Sequence, residues 1–443
     1  MENPRDPAPR GITYLCWTDL TGLLRCRGVP AWRTDTVMEE GLGWAAAGQA
    51  LTAFGLPAEN PWGPMSEVRQ VPVKETAVRI DVWDDAPALS LVLCNTLDSN
   101  GASWECCARG FLERAAADLE GLTGLRFMAA FEHEFTLLDT GFDETTAFSL
   151  EAMRRVAEFC GELEAALTLA DVGVETIEPE CGRRQYEVSC GPASGVGAGD
   201  RAVITREIIR EAARRCGYYA SFSPKPFLGG IGSGAHVHFS FGDAEGRNVT
   251  ADSADPARLS ALSAMFAAGV VKYLPDICAL IASSPVSYLR LGPGNWSCGY
   301  TSFGIQNREA ALRVCPPYGK GAKRNPKSFN LEFRPPDATA NPYLALGALI
   351  RAGLEGIKEK LPAPYALDRD PASLTAEERA GHGIRALPAS LGEALDLMRS
   401  SAVVPGWMSG TMLAAFESVK RSELRTTQAQ SPEEICRTYS RLF

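Results

Sequence analysis

The 443-residue chain carries 54 acidic against 44 basic side chains, a formal net charge of −10. That balance argues against a nucleic-acid binder, which would show a basic face, and leaves room for small anionic substrates held by local arginines. Hydrophobic content of 45% and charged content of 22% describe an ordinary globular protein, long enough for two domains. The opening MENPRDPAPRG is polar and proline-rich, unlike a signal peptide, and no run of about 18 apolar residues suggests a membrane span. Thirteen scattered cysteines, none in a CxxC pair, fit a reduced, cytoplasmic protein with buried thiols.

Residues 11–30 read as two strands joined by the polar turn at 18–22. An Ala-rich stretch closes at Gly55, residues 56–76 read as a proline-rich exposed loop, and 77–97 return to β-type alternation. Turn chemistry at 98–101 marks the end of a small β-rich domain, 1–103, before a larger domain over 104–443. Helical periodicity predicts helices over 108–122, 149–168, 201–216, 256–274 and 340–360, the last opened by Asn341-Pro342. Strands are expected at 125–138, 184–190, 235–241 and 329–334, a Pro- and charge-rich loop at 361–388, and helices from Ser390 onward. The class is α+β.

Four of the strand-like segments share one arrangement: polar residues two apart on otherwise apolar stretches. They are Glu132 and Glu134, Gln185 and Glu187, His236 and His238, and Glu332 and Arg334. Residues two apart on a strand share a face, and carboxylates facing an apolar core need cations. Glu180, in the turn-like EPECGRR, offers a further oxygen. So many carboxylates with a histidine suit hard divalent ions, Mg²⁺ or Mn²⁺, better than a structural zinc. Arg290, Arg308, Arg313 and Arg334 supply groups that clamp carboxylate and phosphoryl oxygens. Carboxylate, nucleotide and two metals together point to activation of a carboxylate by phosphoryl transfer. Gly230, Gly232 and Ala235 match a loose dinucleotide pattern, but a strand follows where a helix is required. The sequence contains no GxxxxGK[ST].

The stretches FEHEF, ECGRRQYEV, FSPKP with GSGAHVHFS, SYLRLGPG, NREAALRV and LEFRPPDATANPYLALGAL occur in an order and spacing that resemble the glutamine synthetase family over most of 125–360. YLCWTDLTGLLRCRGVP is similar to that family's N-terminal β-grasp domain. The resemblance implies a catalytic domain built on a curved antiparallel sheet flanked by helices. It also implies active sites between neighbouring subunits of a ring-stacked homo-oligomer, a dodecamer. Glutamate, ATP and an amine are the implied partners, with two or more Mg²⁺ or Mn²⁺ ions. By position, Glu134, Glu180 and Glu187 would hold one metal, and Glu132, His236 and Glu332 the second. Gly232, Arg290, Arg308 and Arg334 would bind glutamate and the transferring phosphoryl group, and His238, Ser240, Arg313 and Lys327 the ATP.

The departures concern the acceptor. Trp296 stands where ammonia-using members carry a glutamate that helps deprotonate ammonium; the indole offers an apolar wall or a cation–π face instead. Ile231 replaces an asparagine of the glutamate pocket, and Asn330 an arginine of the nucleotide side. Val73 falls where the family has aspartate, and GLGWAAAG lacks the acidic-serine ammonium motif, with Glu39 or Glu40 as candidate substitutes. These changes are expected of a glutamate–amine ligase, with Trp296 in the acceptor site. An ammonia-using glutamine synthetase and a catalytically silent scaffold are the alternatives.

Overall fold

The computed structural model describes residues 11–83, 86–143, 146–252, 254, 258–292, 298–317 and 325–443. The N-terminal part is a mixed sheet. Strands β1 (Ile12–Thr18) and β2 (Leu24–Pro30) form the expected hairpin, followed by helix α1 (Thr34–Glu40). Then come β3 (Leu42–Ala45), β4 (Glu67–Pro72), β5 (Val78–Ile80) and β6 (Leu89–Leu97). The order is β2-β1-β6-β4-β3, with β5 also on β6 and with β1 parallel to β6.

Strand β4 lies inside the stretch read as a loop. Its inward positions are Val68, Gln70 and Pro72, so a buried amide and a proline disguise the period of two. Gln70 is accommodated because its Oε1 accepts from the Thr96 hydroxyl on β6 at 3.0 Å.

The larger part begins with α2 (Ala108–Thr123) and the long β7 (Arg126–Leu138). Phe127, Ala129, Phe131, His133, Phe135 and Leu137 are buried on one face of β7, which leaves Glu132 to project from the other. Helices α3 (Leu150–Arg155) and α4 (Ala157–Leu169) follow, broken at Val156 where one continuous helix was expected. Next are β8 (Val174–Pro179), β9 (Gln185–Cys190), β10 (Ala193–Ser194), α5 (Val196–Arg215), β11 (Tyr219–Ser221) and β12 (Val237–Gly242).

Helix α6 (Ala261–Ile281) starts later than expected, capped by Ser260, and runs through Pro275. By length and composition α6 would cross a membrane, although Lys272 and Asp276 interrupt any purely apolar run. Here 72% of its most apolar stretch is buried, packed along α8.

The chain continues through α7 (Ser287–Arg290), β13 (Phe303–Ile305), β14 (Leu312–Cys315), β15 (Asn330–Phe333) and α8 (Pro342–Lys358). It ends with α9 (Ala376–Gly381), α10 (Leu391–Ser400), α11 (Gly410–Thr427) and α12 (Pro432–Tyr439). Short α9, closed by a Thr375–Glu378 capping box, sits inside the expected 361–388 loop. The second sheet has the order β13-β14-β15-β12-β7-β9-β8, with β10 and β11 also on β7. Its pairs are antiparallel except β13 with β14.

A buried polar seam joins the two parts. Lys420 and Glu423 of α11 are both fully buried. The Lys420 ammonium donates to the Thr21 carbonyl at 3.2 Å, and Glu423 accepts from the Ala53 N–H at 2.7 Å. The Asn341 side chain, which caps α8, also donates to the Asp19 carbonyl at 2.9 Å.

Candidate active site

The sheet register aligns the predicted residues in two rows. On β7, β9 and β8, Glu134 lies directly opposite Glu187, and Glu187 directly opposite Glu178. On β14, β15 and β12, Arg313 lies opposite Glu332, and Glu332 opposite His238. Glu132 stands two residues from Glu134 and contacts both histidines.

The first row is a concentration of negative charge under cover. Glu134 and Glu187 are buried, and Glu180 is half-buried in the β8–β9 turn, where its carboxylate accepts from the Cys181 N–H at 3.0 Å. Burial, then the charges of Glu132, Glu134 and Glu180, pushes Glu187 up to about 9. Burial also pushes Glu180 up to about 7, helped by Glu134 and Glu178 and opposed by the Cys181 hydrogen bond.

Gln185 ties this row to the glycine loop. Its amide nitrogen lies 2.9 Å from Glu134 Oε2, 2.9 Å from the Gly232 carbonyl and 3.1 Å from Ser233 Oγ. The Gly234 N–H donates to the same Glu134 oxygen at 3.0 Å. No side chain fits at Gly232, where a Cβ would come within 2.7 Å of the Pro224 carbonyl oxygen and 2.8 Å of Arg290 Cγ.

In the second row Glu332 is wholly buried and pairs with both Arg313 and Arg334. Burial pushes its carboxyl up, but Arg334, His236 and His238 outweigh that and hold it low. His238 Nε2 lies 2.9 Å from Glu132 Oε1, and its Nδ1 lies 2.8 Å from Asn330 Oδ1. His236 Nδ1 is 3.3 Å from Glu132 and 3.6 Å from each of Glu134 and Glu332, so it borders both metal sets that the resemblance implies. The ligand atoms of Glu132, His238 and Glu332 all lie within 4.8 Å of one another. His238 therefore stands nearer a ligating position than its expected phosphate role requires. The donor set is oxygen-rich with imidazole at one side, which fits divalent Mg²⁺ or Mn²⁺.

A cavity of about 790 Å³ opens over the first row. It is lined by Glu132, Glu134, Glu180, Glu187 and His236, by Gly232, and by Arg290, Arg308 and Arg334. A larger cleft of about 1000 Å³ beside α12 contains none of the candidate residues. Arg290 is buried and donates to the carbonyls of Pro335 at 2.9 Å and Arg334 at 3.1 Å, so it also braces the chain after β15. Arg308 is exposed at the cavity wall.

Ser240 follows His238 on the same face of β12. Lys327 sits on an exposed turn before β15 and does not line the cavity. Trp296 lies outside the described residues. Val73 begins a short turn after β4, and Glu39 pairs with Lys74; neither Glu39 nor Glu40 lines this cavity. Three further lining residues, Phe148, Glu178 and Cys181, were not anticipated. Glu178 had a signal, lying two residues before Glu180 in IEPE, but its position opposite Glu187 requires the β8–β9 register.

The chain matches the glutamine synthetase catalytic domain over residues 105–439 and the glutamine synthetase N-terminal domain over residues 7–104. It belongs to the glutamine synthetase family. As a member it is a ligase, of a family that uses ATP and divalent metal ions. A γ-glutamylpolyamine synthetase of Streptomyces coelicolor, GlnA3, is 30% identical over 435 residues, spanning 96% of this chain and 92% of that protein. A glutamine synthetase of Thermotoga maritima is 31% identical over 350 residues, spanning 76% of this chain and 77% of that one. Among solved structures, a crystal structure described as a novel glutamine synthase homolog is 39% identical, with a TM-score of 0.90 and full coverage of both chains. A GmaS/ADP complex, 24% identical with a TM-score of 0.82 over 96% of this chain and 95% of that one, shares the fold.

Proposed function

We propose that this glutamine synthetase relative is a glutamate–amine ligase. It phosphorylates the γ-carboxylate of glutamate with ATP and joins the activated acyl group to an organic amine, giving a γ-glutamylamide. One observation carries the reading. The carboxylate, histidine and arginine types needed for phosphoryl transfer are gathered at one cavity, while in sequence Trp296 falls where the resemblance puts the glutamate with which ammonia-using members deprotonate ammonium. The name of the Streptomyces coelicolor relative supports the same reading.

When bound, two Mg²⁺ or Mn²⁺ ions on Glu134, Glu180 and Glu187 and on Glu132, His236 and Glu332 would supply positive charge to the phosphate oxygens. Arg290 and the backbone at Gly232 hold the amino acid. Arg308 and Arg334 balance charge on the transferring phosphoryl group. His238, Ser240, Arg313 and Lys327 serve the nucleotide. The acceptor nitrogen then bonds to the carboxyl carbon of the γ-glutamyl phosphate, the bond from that carbon to the phosphate oxygen breaks, and phosphate leaves with the bonding pair as the nitrogen gives up a proton. The reading includes a cytoplasmic, ring-stacked dodecamer with active sites between neighbouring subunits.

Phosphate release from ATP with glutamate, measured against ammonium and a panel of amines, tests the proposal. An organic amine is expected as the best acceptor, and ammonium in that place overturns the reading. No turnover with any acceptor, from a folded protein that binds metal, favours a scaffold. Glu134→Ala is expected to remove phosphate release, and Trp296→Glu to shift acceptor preference away from the amine.

A further inference from the structure

Asn330 begins β15, half-buried, on the strand beside His238. Its Nδ2 donates to the Ser328 carbonyl at 3.0 Å, which sets which way round the amide sits. Oδ1 is left to face His238 Nδ1, at 2.8 Å. An amide oxygen only accepts, so Nδ1 carries a proton and donates it to Asn330. The Cys315 thiol also contacts the imidazole, from its place opposite Asn330 on β14.

The other ring nitrogen is thereby turned on the carboxylates. His238 Nε2 is buried and makes no hydrogen bond among the described residues, although Glu132 Oε1 is 2.9 Å away. Glu332 Oε1 is 3.9 Å from the same nitrogen. Two ligands of one octahedral ion, with bonds of about 2.1 Å, stand about 3 Å apart when adjacent and about 4.2 Å apart when opposite. Both separations fall at or within a few tenths of an ångström of that span, as ligands of one ion require. Cys315 is not part of this three-residue cluster.

An oxygen accepting from the far nitrogen of an imidazole fixes its tautomer and orientation and makes the near nitrogen a better ligand. The arginine that the resemblance expects at 330 has no acceptor atom for that proton, and its charge would oppose a cation close by. Resting on the two-ion ligase reading above, we propose that His238 joins Glu132, His236 and Glu332 as a ligand of the second ion, and that Asn330 is the positioning residue that aims it. His238 then serves the nucleotide by way of that ion.

The test adds Mn²⁺ alone to the full chain. Electron paramagnetic resonance of the free ion gives the binding isotherm, and anomalous scattering from Mn²⁺-soaked crystals gives the ion positions. The wild type is expected to place an ion within bonding distance of His238 Nε2. Asn330→Leu is expected to weaken one of the two ions about tenfold or more, the usual cost of losing an outer partner, and His238→Ala at least as much. Asn330→Asp keeps an oxygen acceptor and is expected to restore most of the affinity, a rescue that a merely structural role would not produce. Thermal melts in chelator check that each variant folds, and the wild-type crystal with His238→Ala decides the matter if Asn330→Leu does not. A loss in Cys315→Ala without one in Asn330→Leu overturns the role of Asn330. An ion on Glu132 and Glu332 with His238 turned from it, or an isotherm unmoved by His238→Ala and Asn330→Leu, overturns the inference and leaves the two-ion reading standing. A folded wild type that binds no Mn²⁺ overturns the two-ion reading itself.

Discussion

Glu134 and Glu187 face one another directly across the β7–β9 pair, both buried, with no lysine or arginine ion-paired to either among the described residues. Without a cation the two avoid facing each other as like charges because Glu187 keeps its proton, its carboxyl pushed up to about 9; a divalent cation that displaced that proton would add its binding energy to the stability of the fold. Mg²⁺ or Mn²⁺ at about a hundred times its Kd is expected to stabilise the protein by about 2.7 kcal/mol, and chelation to reverse that. Glu187→Gln should leave the melting temperature in chelator nearly unchanged at pH 7 and shrink the gain on adding metal. Scanning calorimetry with and without metal reads both effects; an unchanged metal gain removes Glu187 from the site.

Gln185 holds the carboxylate row and the glycine loop in register with one amide group. Gln185→Glu would set a further carboxylate against Glu134 and the Gly232 carbonyl, which a carboxylate repels. Leaving these buried groups unmatched costs about 1–3 kcal/mol. The expected signature is a raised KM for glutamate and weaker metal binding, with the melting temperature lowered. Normal kinetics in Gln185→Glu would show that the loop is held elsewhere.

At Gly232 the obstacle is backbone, the Pro224 carbonyl, which cannot swing aside as a side chain can. Gly232→Ala is expected to displace the loop and Arg290 together, lowering kcat/KM for glutamate by about a hundredfold, as a 1 Å misplacement does. The KM for ATP should change much less, and steady-state kinetics in both substrates separates the two.

His133 provides the pH test. It sits between Glu132 and Glu134 in sequence but points the other way, buried among Phe131, Phe222 and Arg206. Burial, then the charges of Arg206 and Arg210, holds the imidazole down at about 3. Its folded value lies below the unfolded one, near 6.5, so the unfolded chain takes up the proton first on acidification. The stabilising contribution is whole above about pH 6.5 and is lost progressively as pH falls toward 3. His133→Phe should therefore gain about 2–3 kcal/mol relative to wild type between pH 8 and pH 4.5. Denaturant melts at the two pH values measure it, and a constant difference would show that His133 is not the group responsible.

The residues that the sheet gathers at the candidate site were legible in the sequence because strand geometry converts a spacing of two into a shared face. Glu132 with Glu134, and His236 with His238, needed nothing more than that rule. What escaped was set by partners far along the chain. Glu178 gains meaning only from β9 opposite it, and Gln185 only from a loop 47 residues later. Strand β4 escaped because its inward Gln70 is made tolerable by Thr96, a partner that local alternation does not reveal. Arg313 read as a nucleotide residue, and the register shows it paired with Glu332 as well.

The seam around Lys420 and Glu423 bears on how the protein can be taken apart. Either half expressed alone would expose a charge pair, or a row of backbone groups at Thr21 and Ala53, that the other half now satisfies. The halves should therefore melt in one transition, and proteolytic nicking between them should not release a stable fragment. Chimeras that exchange the N-terminal part between relatives will need α11 carried along with it.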